Sequence, residues 1–596
     1  MTLTAPSQSA QSAPELRTLI GQKLMLDLRY FCQQGKGAKC REPMTTLPQE
    51  LKQILHDYQI GGVILFAENV QEIDQIVELT QQIHNATELP PFIAIDQEGG
   101  RVARINRAEA TSFTGNMSIG ASYAQHGTRY AQEVASVIGK ELSVLGINVN
   151  FAPTVDVNAN PDNPVINVRS FGEDPHMVAK LGAAQVKAFE QQGVISAIKH
   201  FPGHGDTNVD SHTGLPRVNH PLKQIQQQDI APFASIIKQH APGMIMTAHI
   251  QYPALDNTVI LNKRNEKMLR PATMSRKIMH DLLREELGYQ GVTITDALDM
   301  AGISDFFEPE QAVIETFAAG VDIALMPFAI RSTDDISAFR QFMDALYQQA
   351  TAQLSISELR ASHQRIQTLK ARFLAPKHQL SSAIAQSVLG NPQHRKLEAE
   401  LALAAITQVK NDQLLPLAPR ANQRIHVIMP DKQKATALKQ ALLAHAAHPL
   451  TITLSSLQGF NPARAEADIK NADFVIAGHA TPAQSAVEIG GMEDLATLSQ
   501  FSLATKAQPN ALQDLLRFAQ SQHKPTVFIS LRAPYEITQF APYSQAVLAS
   551  YAYNVDVETA HEVSGPAYTA LAKVILGHEK ATGTLPVTID KQADSS

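Results

Sequence analysis

Eight short apolar segments, each followed by a stretch with helical periodicity, occupy the first 330 residues and constrain the fold more than any other feature. Continuous apolar strands separated by helices are typical of parallel strands that are covered on both faces. Eight such repeats favour a closed (β/α)8 barrel of the TIM type over an open sheet. The predicted strands cover residues 20–28, 61–66, 91–96, 147–153, 194–200, 243–249, 291–296 and 321–327.

A second, smaller unit is predicted from about residue 401. Its apolar segments also alternate with helical stretches, which favours an αβα three-layer sandwich domain. The predicted strands of this unit are 423–430, 472–480, 525–531 and 545–553. The predicted organisation of the chain is a disordered tail over 1–15, the barrel over 16–375, a linker over 376–400 and the sandwich over 401–596.

Composition excludes several classes of partner. The formal net charge of -7 is small for 596 residues, so there is no electrostatic footprint for nucleic acid or for an anionic membrane. No apolar run reaches the roughly 18 residues that a membrane span requires. The first fifteen residues lack the basic start and the apolar core of a secretory signal. We therefore expect no secretory signal and a cytoplasmic location. A signal removed earlier would leave no trace in this sequence.

The chain has two cysteines, Cys32 and Cys40. One pair in a chain of this length cannot determine the fold. We expect two free thiols rather than a single disulfide within a loop.

Polar side chains stand at the carboxyl ends of five predicted strands. At any one strand, solubility would explain such a residue, but five together favour a site, because barrel enzymes build their sites at this edge. These residues are Asp96, Asp156, Lys199 with His200, His249 and Asp296.

The segment KHFPGHGDTNVDSH, residues 199–212, is the densest polar stretch of the chain. His200 and His204 have the four-residue spacing of zinc ligands on a helix, but Pro202 and Gly203 between them predict a loop instead. A loop can still bind metal, so a metal site stays open as the less favoured alternative. Its candidate ligands would be His200, His204, Asp206, His212 and His249.

The end of this segment offers an acid/base pair. Asp210 and His212 project to the same side of an extended chain, so the carboxylate can orient the imidazole and stabilise its protonated form. Taken alone, a turn cap at Asp210 and a His212 packed against the barrel rim would be the better explanation. Asp296 supplies the nucleophile that a retaining glycosidase needs, and Asp299 is the nearest rival.

Several segments together resemble bacterial β-N-acetylhexosaminidases of glycoside hydrolase family 3, a group that removes N-acetylglucosamine from peptidoglycan fragments. The long loop motif that ends in Asp-Ser-His is the most specific of them. The matching segments are GGVILF (61–66), IDQEGGRVAR (95–104), NVNFAPTVDVN (148–158), RSFGEDP (169–175), KHFPGHGDTNVDSH (199–212), ITDALDM (294–300), VKNDQLLPL (409–417) and GTLPVTI (583–589).

The resemblance implies a role for each matching residue. Asp296 would be the nucleophile, His212 the acid/base and Asp210 its partner. The sugar would be bound by Asp96, Arg104, Arg169, Lys199 and His200. It implies no cofactor and no metal. A surface ion pair is the plainer interpretation of each of the two arginines.

The resemblance implies a retaining hydrolase that acts on muropeptides or chitooligosaccharides, that is, on a small carbohydrate, and we favour a monomer. Tryptophan is absent, which favours short soluble substrates over long polysaccharide tracks. Three alternatives stay open. They are a phosphorolytic N-acetylglucosaminidase or β-glucosidase, a metal-dependent hydrolase and a non-catalytic binder of cell-wall fragments.

Overall fold

The first unit of the computed structural model is a parallel barrel. The described residues are 8–34, 37–207, 210–211, 214–374, 380–459, 461–481, 485, 488, 508–557, 559 and 562–589. The strands of this unit are β1 Leu24–Asp27, β2 Gly62–Leu65, β3 Phe92–Ile95, β4 Val149–Asn150, β5 Ile195–Phe201, β6 Met244–Thr247, β7 Val259–Leu261, β8 Lys267–Leu269, β9 Val292–Ile294 and β10 Ala324–Leu325. The barrel order is β10–β1–β2–β3–β4–β5–β6–β9, and a bridge between Ile294 and Ile323 closes it. The predicted barrel is confirmed, and β7 and β8 form a hairpin outside it.

Helices connect the strands on the outside of the barrel. They are α1 Gln8–Gly21, α2 Gln49–Asp57, α3 Ile73–His84, α4 Asn116–His126, α5 Arg129–Val144, α6 Pro175–Gln191, α7 Leu222–Gln224, α8 Ala231–His240, α9 Ala301–Ser304, α10 Pro309–Ala318, α11 Asp335–Gln353 and α12 Ile356–Phe373. Residues Ile225–Asp229 and Lys277–Glu286 are π-helical. Across the described helices, we find none with the length and apolar character needed to cross a membrane.

Barrel strands are buried on both faces, as their continuous apolar sequences predict. In β2, Ile64 packs into the barrel interior with Phe92 and Met244. Val63 and Leu65 of the same strand instead join the layer between the strands and the helices. Because side chains alternate along a strand, each strand contributes to two cores and can tolerate few polar residues except at its ends.

The second unit is built on a mixed sheet. Its strands are β11 Thr407–Asn411, β12 Arg424–Met429, β13 Thr451–Ser456, β14 Phe474–His479, β15 Thr526–Ser530 and β16 Ala546–Ala549. The order is β11–β16–β15–β14–β12–β13, with β11 antiparallel to its neighbour. Apolar cores cover both sheet faces, which confirms the predicted sandwich. The edge strands β11 and β13 were not predicted, because each is only partly buried.

Helices of the second unit and its approach are α13 Ser382–Val388, α14 Pro392–Ala405, α15 Lys432–His445, α16 Pro462–Asn471, α17 Gln508–Ser521, α18 Ile537–Phe540 and α19 Pro566–Ile575; β17 Asp556–Val557 and β18 Val563–Ser564 form a small hairpin. The predicted linker over 376–400 contains α13 and the start of α14, and its residues 376–379 lie outside the described part. Asn391 caps α14 by accepting bonds from the amides of Gln393 and His394, both at 3.0 Å. Of the predicted tail over 1–15, residues 8–15 lie in α1, and residues 1–7 lie outside the described part.

Cys32 and Cys40 form a disulfide, so the expectation of two free thiols is wrong. The chain folds back on itself here, because the amide of Phe31 donates to the Glu42 carbonyl and that of Met44 to the Arg29 carbonyl. This pairing brings the two cysteine Cα atoms to 5.9 Å, a separation that a disulfide spans. Structural disulfides are typical of oxidising compartments, and this pair therefore does not favour the predicted cytoplasmic location. That location stays a prediction.

A buried ion cluster joins the amino ends of the strands. Asp322, just before β10, accepts bonds from Arg284 at 2.6 Å, from Arg365 at 2.7 Å and from the amide of Thr293 at 2.9 Å. Burial opposes ionisation of Asp322, but the two arginines and Lys23 hold its pKa well below the usual value. The cluster therefore holds the closing strands together as a charged group.

We predict that Asp322→Asn destabilises the barrel by about 3–5 kcal/mol, because it leaves buried arginine charges uncompensated. Urea denaturation should show this loss, while KM of the folded fraction stays unchanged. Asp344→Asn, at an exposed position of α11, is the matched control. Equal stability of the two variants would contradict the prediction.

Candidate active site

A cavity of about 750 Å³, including solvent at its mouth, opens at the carboxyl ends of the barrel strands. Its lining draws on segments that follow β1, β3, β4, β5, β9 and β10. Six of the seven predicted site residues that the structure describes line it. They are Asp96, Arg104, Arg169, Lys199, His200 and Asp296.

A network of buried charges forms one wall of this cavity. Lys199, in β5, lies 2.7 Å from Asp96 and 2.7 Å from Glu98. Arg169 reaches the two carboxylate oxygens of Glu98 with Nη2 at 2.8 Å and Nε at 3.0 Å. Arg104 approaches Asp96 at 3.9 Å. The two predicted arginines are therefore buried and line the cavity, rather than forming ion pairs on the surface.

Glu98 is the shared acceptor of this wall. Burial opposes its ionisation, but the charges and hydrogen bonds of Arg169 and Lys199 lower its pKa far below the usual value. Burial likewise opposes the charge of Arg169, yet Glu98 raises the pKa of that guanidinium. Glu98 and Arg169 therefore stay ionised across the neutral and mildly acidic range.

A second buried carboxylate, Asp156, holds two histidines. It accepts bonds from the His200 ring at 2.7 Å and from the backbone amide of His204 at 2.7 Å. Arg169 Nη2 lies 3.4 Å from His200 Nε2, and arginine can only donate. This arrangement assigns the His200 proton to Nδ1, with Nε2 as the acceptor.

His204 supports the loop after β5 from the inside. Its Nδ1 lies 2.6 Å from Thr207 Oγ1 and its Nε2 lies 3.0 Å from Ser211 Oγ. Burial is the largest cause that lowers the pKa of His204, which falls to about 4. The neutral ring can therefore accept the hydroxyl bond of Ser211 and hold that residue at the cavity.

Asp296 follows β9 and is held from its backbone. Its amide donates to the Thr247 carbonyl at 3.1 Å, and one carboxylate oxygen accepts from the Ala297 amide at 2.8 Å. His249 Nε2 donates to the Ala297 carbonyl at 3.0 Å. Asp299 also lines the cavity, so the rival carboxylate lies in the same site.

The loop carrying the predicted dyad reaches the same cavity. Ser211 is part of the lining, and its carbonyl accepts a bond from the Gly302 amide at 3.2 Å, shortly after Asp296. Asp210 is buried. His212 lies outside the described residues, so the predicted acid/base itself has no described position.

The histidines proposed for a metal alternative have other partners. His200 is bonded to Asp156, His204 to Thr207 and Ser211, and His249 to Thr273 and the Ala297 carbonyl. Among the described residues, three side chains with metal-ligand spacing occur instead at His280, Asp281 and Glu285, far along the chain from this loop. This geometry gives the metal alternative no support.

Several lining residues were missed from the sequence. Asp27 pairs with Arg331 and accepts the amide of Arg29 at 2.6 Å, and Arg29 forms a two-bond pair with Glu68 at 2.6 and 2.8 Å. Glu98 does not line the cavity itself but contacts the lining residues Lys199 and Arg169, and it lies in a matching segment without a predicted role. Asp27 is the last residue of β1, much as Asp296 follows β9. This position at a strand end could have predicted that Asp27 lies at the cavity.

Residues of the second unit contact two barrel turns that lie next to residues of the charged wall. Asn554 donates to the Gly100 carbonyl at 2.8 Å, two residues after Glu98. Asn158 donates to the Tyr535 hydroxyl at 2.7 Å, and the buried Arg532 reaches Asn167 at 3.4 Å. The turn that delivers Arg169 therefore packs against both units.

Two family models match the chain. The model described as glycosyl hydrolase family 3 N terminal domain matches residues 31–369, and the model of the family 3 C-terminal domain matches residues 406–596. The chain belongs to glycosyl hydrolase family 3.

This family 3 hydrolase is 61% identical to beta-hexosaminidase A of Pseudoalteromonas piscicida over 98% of the chain and 99% of that protein. It is 37% identical to a beta-hexosaminidase of Neisseria meningitidis over 47% of the chain and 74% of that protein. A solved family 3 beta-N-acetylglucosaminidase from Paenibacillus sp. str. FPU-7 matches with a TM-score of 0.76 and 27% identity, covering 96% of this chain and 99% of that one. A beta-glucoside phosphorylase, with a TM-score of 0.74, 20% identity and coverage of 98% and 97%, shares the fold.

We predict that Glu98→Gln lowers kcat/KM of this family 3 hydrolase by about 10- to 100-fold, because Lys199 and Arg169 lose their common acceptor and shift. Steady-state kinetics on an aryl N-acetylglucosaminide would measure the loss. Glu141→Gln, which changes a buried carboxylate outside the cavity, is the control and should keep wild-type kcat/KM in its folded fraction. Equal effects of the two substitutions would contradict a role for Glu98 in the wall.

Proposed function

We propose that this family 3 β-hexosaminidase removes terminal β-linked N-acetylglucosamine from muropeptides or chitooligosaccharides, with retention of configuration. The observation that carries the proposal is that Asp296 and Ser211 line one cavity. Ser211 lies between the two members of the proposed Asp210–His212 dyad, so nucleophile and acid/base would meet over the same sugar ring. The whole-length likeness to a beta-hexosaminidase and to a beta-N-acetylglucosaminidase supports the choice of sugar.

Asp296 is proposed as the nucleophile. Its carboxylate oxygen would attack the anomeric carbon while the bond from that carbon to the leaving oxygen breaks, giving a covalent glycosyl-enzyme. The bond from the Ala297 amide to the Asp296 carboxylate supports this role, because it limits the orientations of the carboxylate before the sugar arrives.

The Asp210–His212 pair is proposed as the acid/base. A protonated His212 would give its proton to the leaving oxygen, and the neutral ring would then take a proton from the water that displaces Asp296. The buried Asp210 would hold the ring and stabilise its charged form. The Ser211 contacts with Gly302 and His204 support a loop that is held near Asp296.

The charged wall is proposed as the binding site of the terminal sugar. Neighbouring hydroxyl groups on a sugar ring need a donor beside an acceptor, and charged partners make the stronger bonds. Lys199 beside Asp96 offers such a pair, and Arg104 and Arg169 extend it. His200, with its Nδ1 held by Asp156, would contact the same ring.

We predict that Asp296→Asn lowers kcat on a chromogenic N-acetylglucosaminide by about 10⁴-fold, because the amide cannot form the glycosyl ester. A mass spectrum of wild-type enzyme quenched during turnover should show one added N-acetylglucosaminyl group, which Asp296→Asn should lack. Asp299→Asn is the matched control and should still carry that group. Loss of the adduct from Asp299→Asn alone would assign the nucleophile to Asp299.

Water is proposed as the acceptor, and phosphorolysis is the competing outcome. Product analysis on chitobiose with and without inorganic phosphate separates the two. We predict free N-acetylglucosamine at the same rate in both cases. Accumulation of the sugar 1-phosphate when phosphate is added would contradict hydrolysis and leave the nucleophile unchanged.

A further inference from the structure

His220 bridges two carboxylates at the base of the loop that follows β5. Its Nε2 lies 2.6 Å from Asp206 and its Nδ1 lies 3.0 Å from Asp229. The outgoing arm of the loop, residues 202–207, contains Asp206, and the return arm, residues 214–221, contains His220. The bridge therefore ties the two arms to each other and to a third element, the π-helical segment that ends at Asp229.

Both ring nitrogens of His220 face acceptors. Ionised carboxylates can only accept hydrogen bonds, so a ring that bonds both of them carries two protons and a positive charge. Burial opposes this charge, but the bonds and charges of Asp206 and Asp229 raise the pKa of His220 to about 9. At neutral pH the bridge is therefore an ion triad, in which each bond is charge-assisted.

The Asp229 end of the bridge is fixed. The Asp229 side chain is buried, and Gly203 packs so closely that an added Cβ would lie 2.9 Å from the Asp229 Cβ. The Tyr252 hydroxyl donates to the Gly203 carbonyl at 2.5 Å. The start of the outgoing arm and the acceptor of His220 thus form one packed unit.

The return arm has its own contact with the barrel. The Val218 amide donates to the Gln251 carbonyl at 3.0 Å, and the Gln251 amide donates to the Pro216 carbonyl at 2.9 Å. Among the described residues, the charged side chain of His220 connects this arm directly to the outgoing arm. Asp210 and Ser211 lie between the two arms in the sequence, and Ser211 contacts His204 of the outgoing arm and the Gly302 amide.

We propose that His220 is a positioning residue for the glycosidase reaction. Its bridge from Asp206 to Asp229 fixes the two arms of the loop and so holds the Asp210–Ser211 segment over the cavity that Asp296 lines. The proposal rests on the function proposed above, because the loop carries the proposed acid/base. His220 itself does not line the cavity and would act through the loop.

This role has a kinetic signature that loss of stability lacks. Misplaced acid catalysis slows departure of a leaving group that needs a proton, but hardly affects one that leaves as a stable anion. Partial unfolding lowers the amount of active enzyme, so it reduces the apparent kcat/KM of every substrate by the same factor. The dependence of kcat/KM on the pKa of the leaving group therefore separates the two.

The test compares wild type, His220→Gln and Asp206→Asn on a series of aryl β-N-acetylglucosaminides. For phenyl N-acetylglucosaminide we expect kcat/KM to fall about 10- to 100-fold in both variants, and for the dinitrophenyl substrate by less than about threefold. The double variant should lose no more than His220→Gln alone, because both changes break one bridge. If His220→Gln fails to fold, Asp206→Asn still tests the bridge, because Asp206 is the more exposed of the two partners.

His280→Gln is the matched control, since His280 also pairs with a carboxylate, Asp281 at 2.9 Å, in a π-helical segment outside the cavity. It should leave the whole series unchanged. An equal loss on all substrates in His220→Gln and Asp206→Asn, or no loss, would overturn the positioning role. A wild-type enzyme inactive on every N-acetylglucosaminide would instead overturn the proposed function, so the two failures are distinct.

Discussion

The bonds of Glu98 with Lys199 and Arg169 are the interaction on which the cavity end of the barrel depends. Two cations are buried here at 2.7 and 2.8 Å from one carboxylate oxygen. Burying either cation alone would cost several kcal/mol, so Glu98 makes their burial tolerable. The same bonds join the segments after β3 and β4 to β5. The bonds that make this burial possible therefore also hold the lining residues Lys199 and Arg169 in place.

Asp156 has a comparable double task one step further round the barrel. One of its oxygens holds the His200 ring and the other holds the His204 backbone. The cavity-lining His200 and the first residues of the loop after β5 are thus held by a single buried carboxylate. From there His204 contacts Ser211, and His220 closes the loop at its base. The site is a chain of carboxylate–cation and carboxylate–imidazole contacts.

The barrel and the central strands of the sandwich could be predicted because strands buried on both faces leave continuous apolar runs. Edge strands such as β11 and β13 leave no such run, and the sequence gives no warning of them. Strand ends pointed to Asp96, Lys199, His200 and Asp296, since parallel strands bring their carboxyl ends to one edge.

Contacts that depend on closure of the fold could not be predicted. Asp27 and Arg331 are 304 residues apart and meet because β1 lies beside β10. The pairing of Cys32 with Cys40 likewise depends on a local chain reversal that composition does not encode. Arg104 and Arg169 had plain surface interpretations, and only the carboxylates beside them explain why their charges are buried.

The contacts of Asn554, Tyr535 and Arg532 with the barrel turns have a consequence for inactivation by heat. The cavity is lined by the barrel, but two barrel turns beside it lose these contacts when the sandwich unfolds. Activity would then fade at the melting temperature of whichever unit is weaker, even with the other still folded. The working temperature range of the enzyme is in this sense a property of both units together.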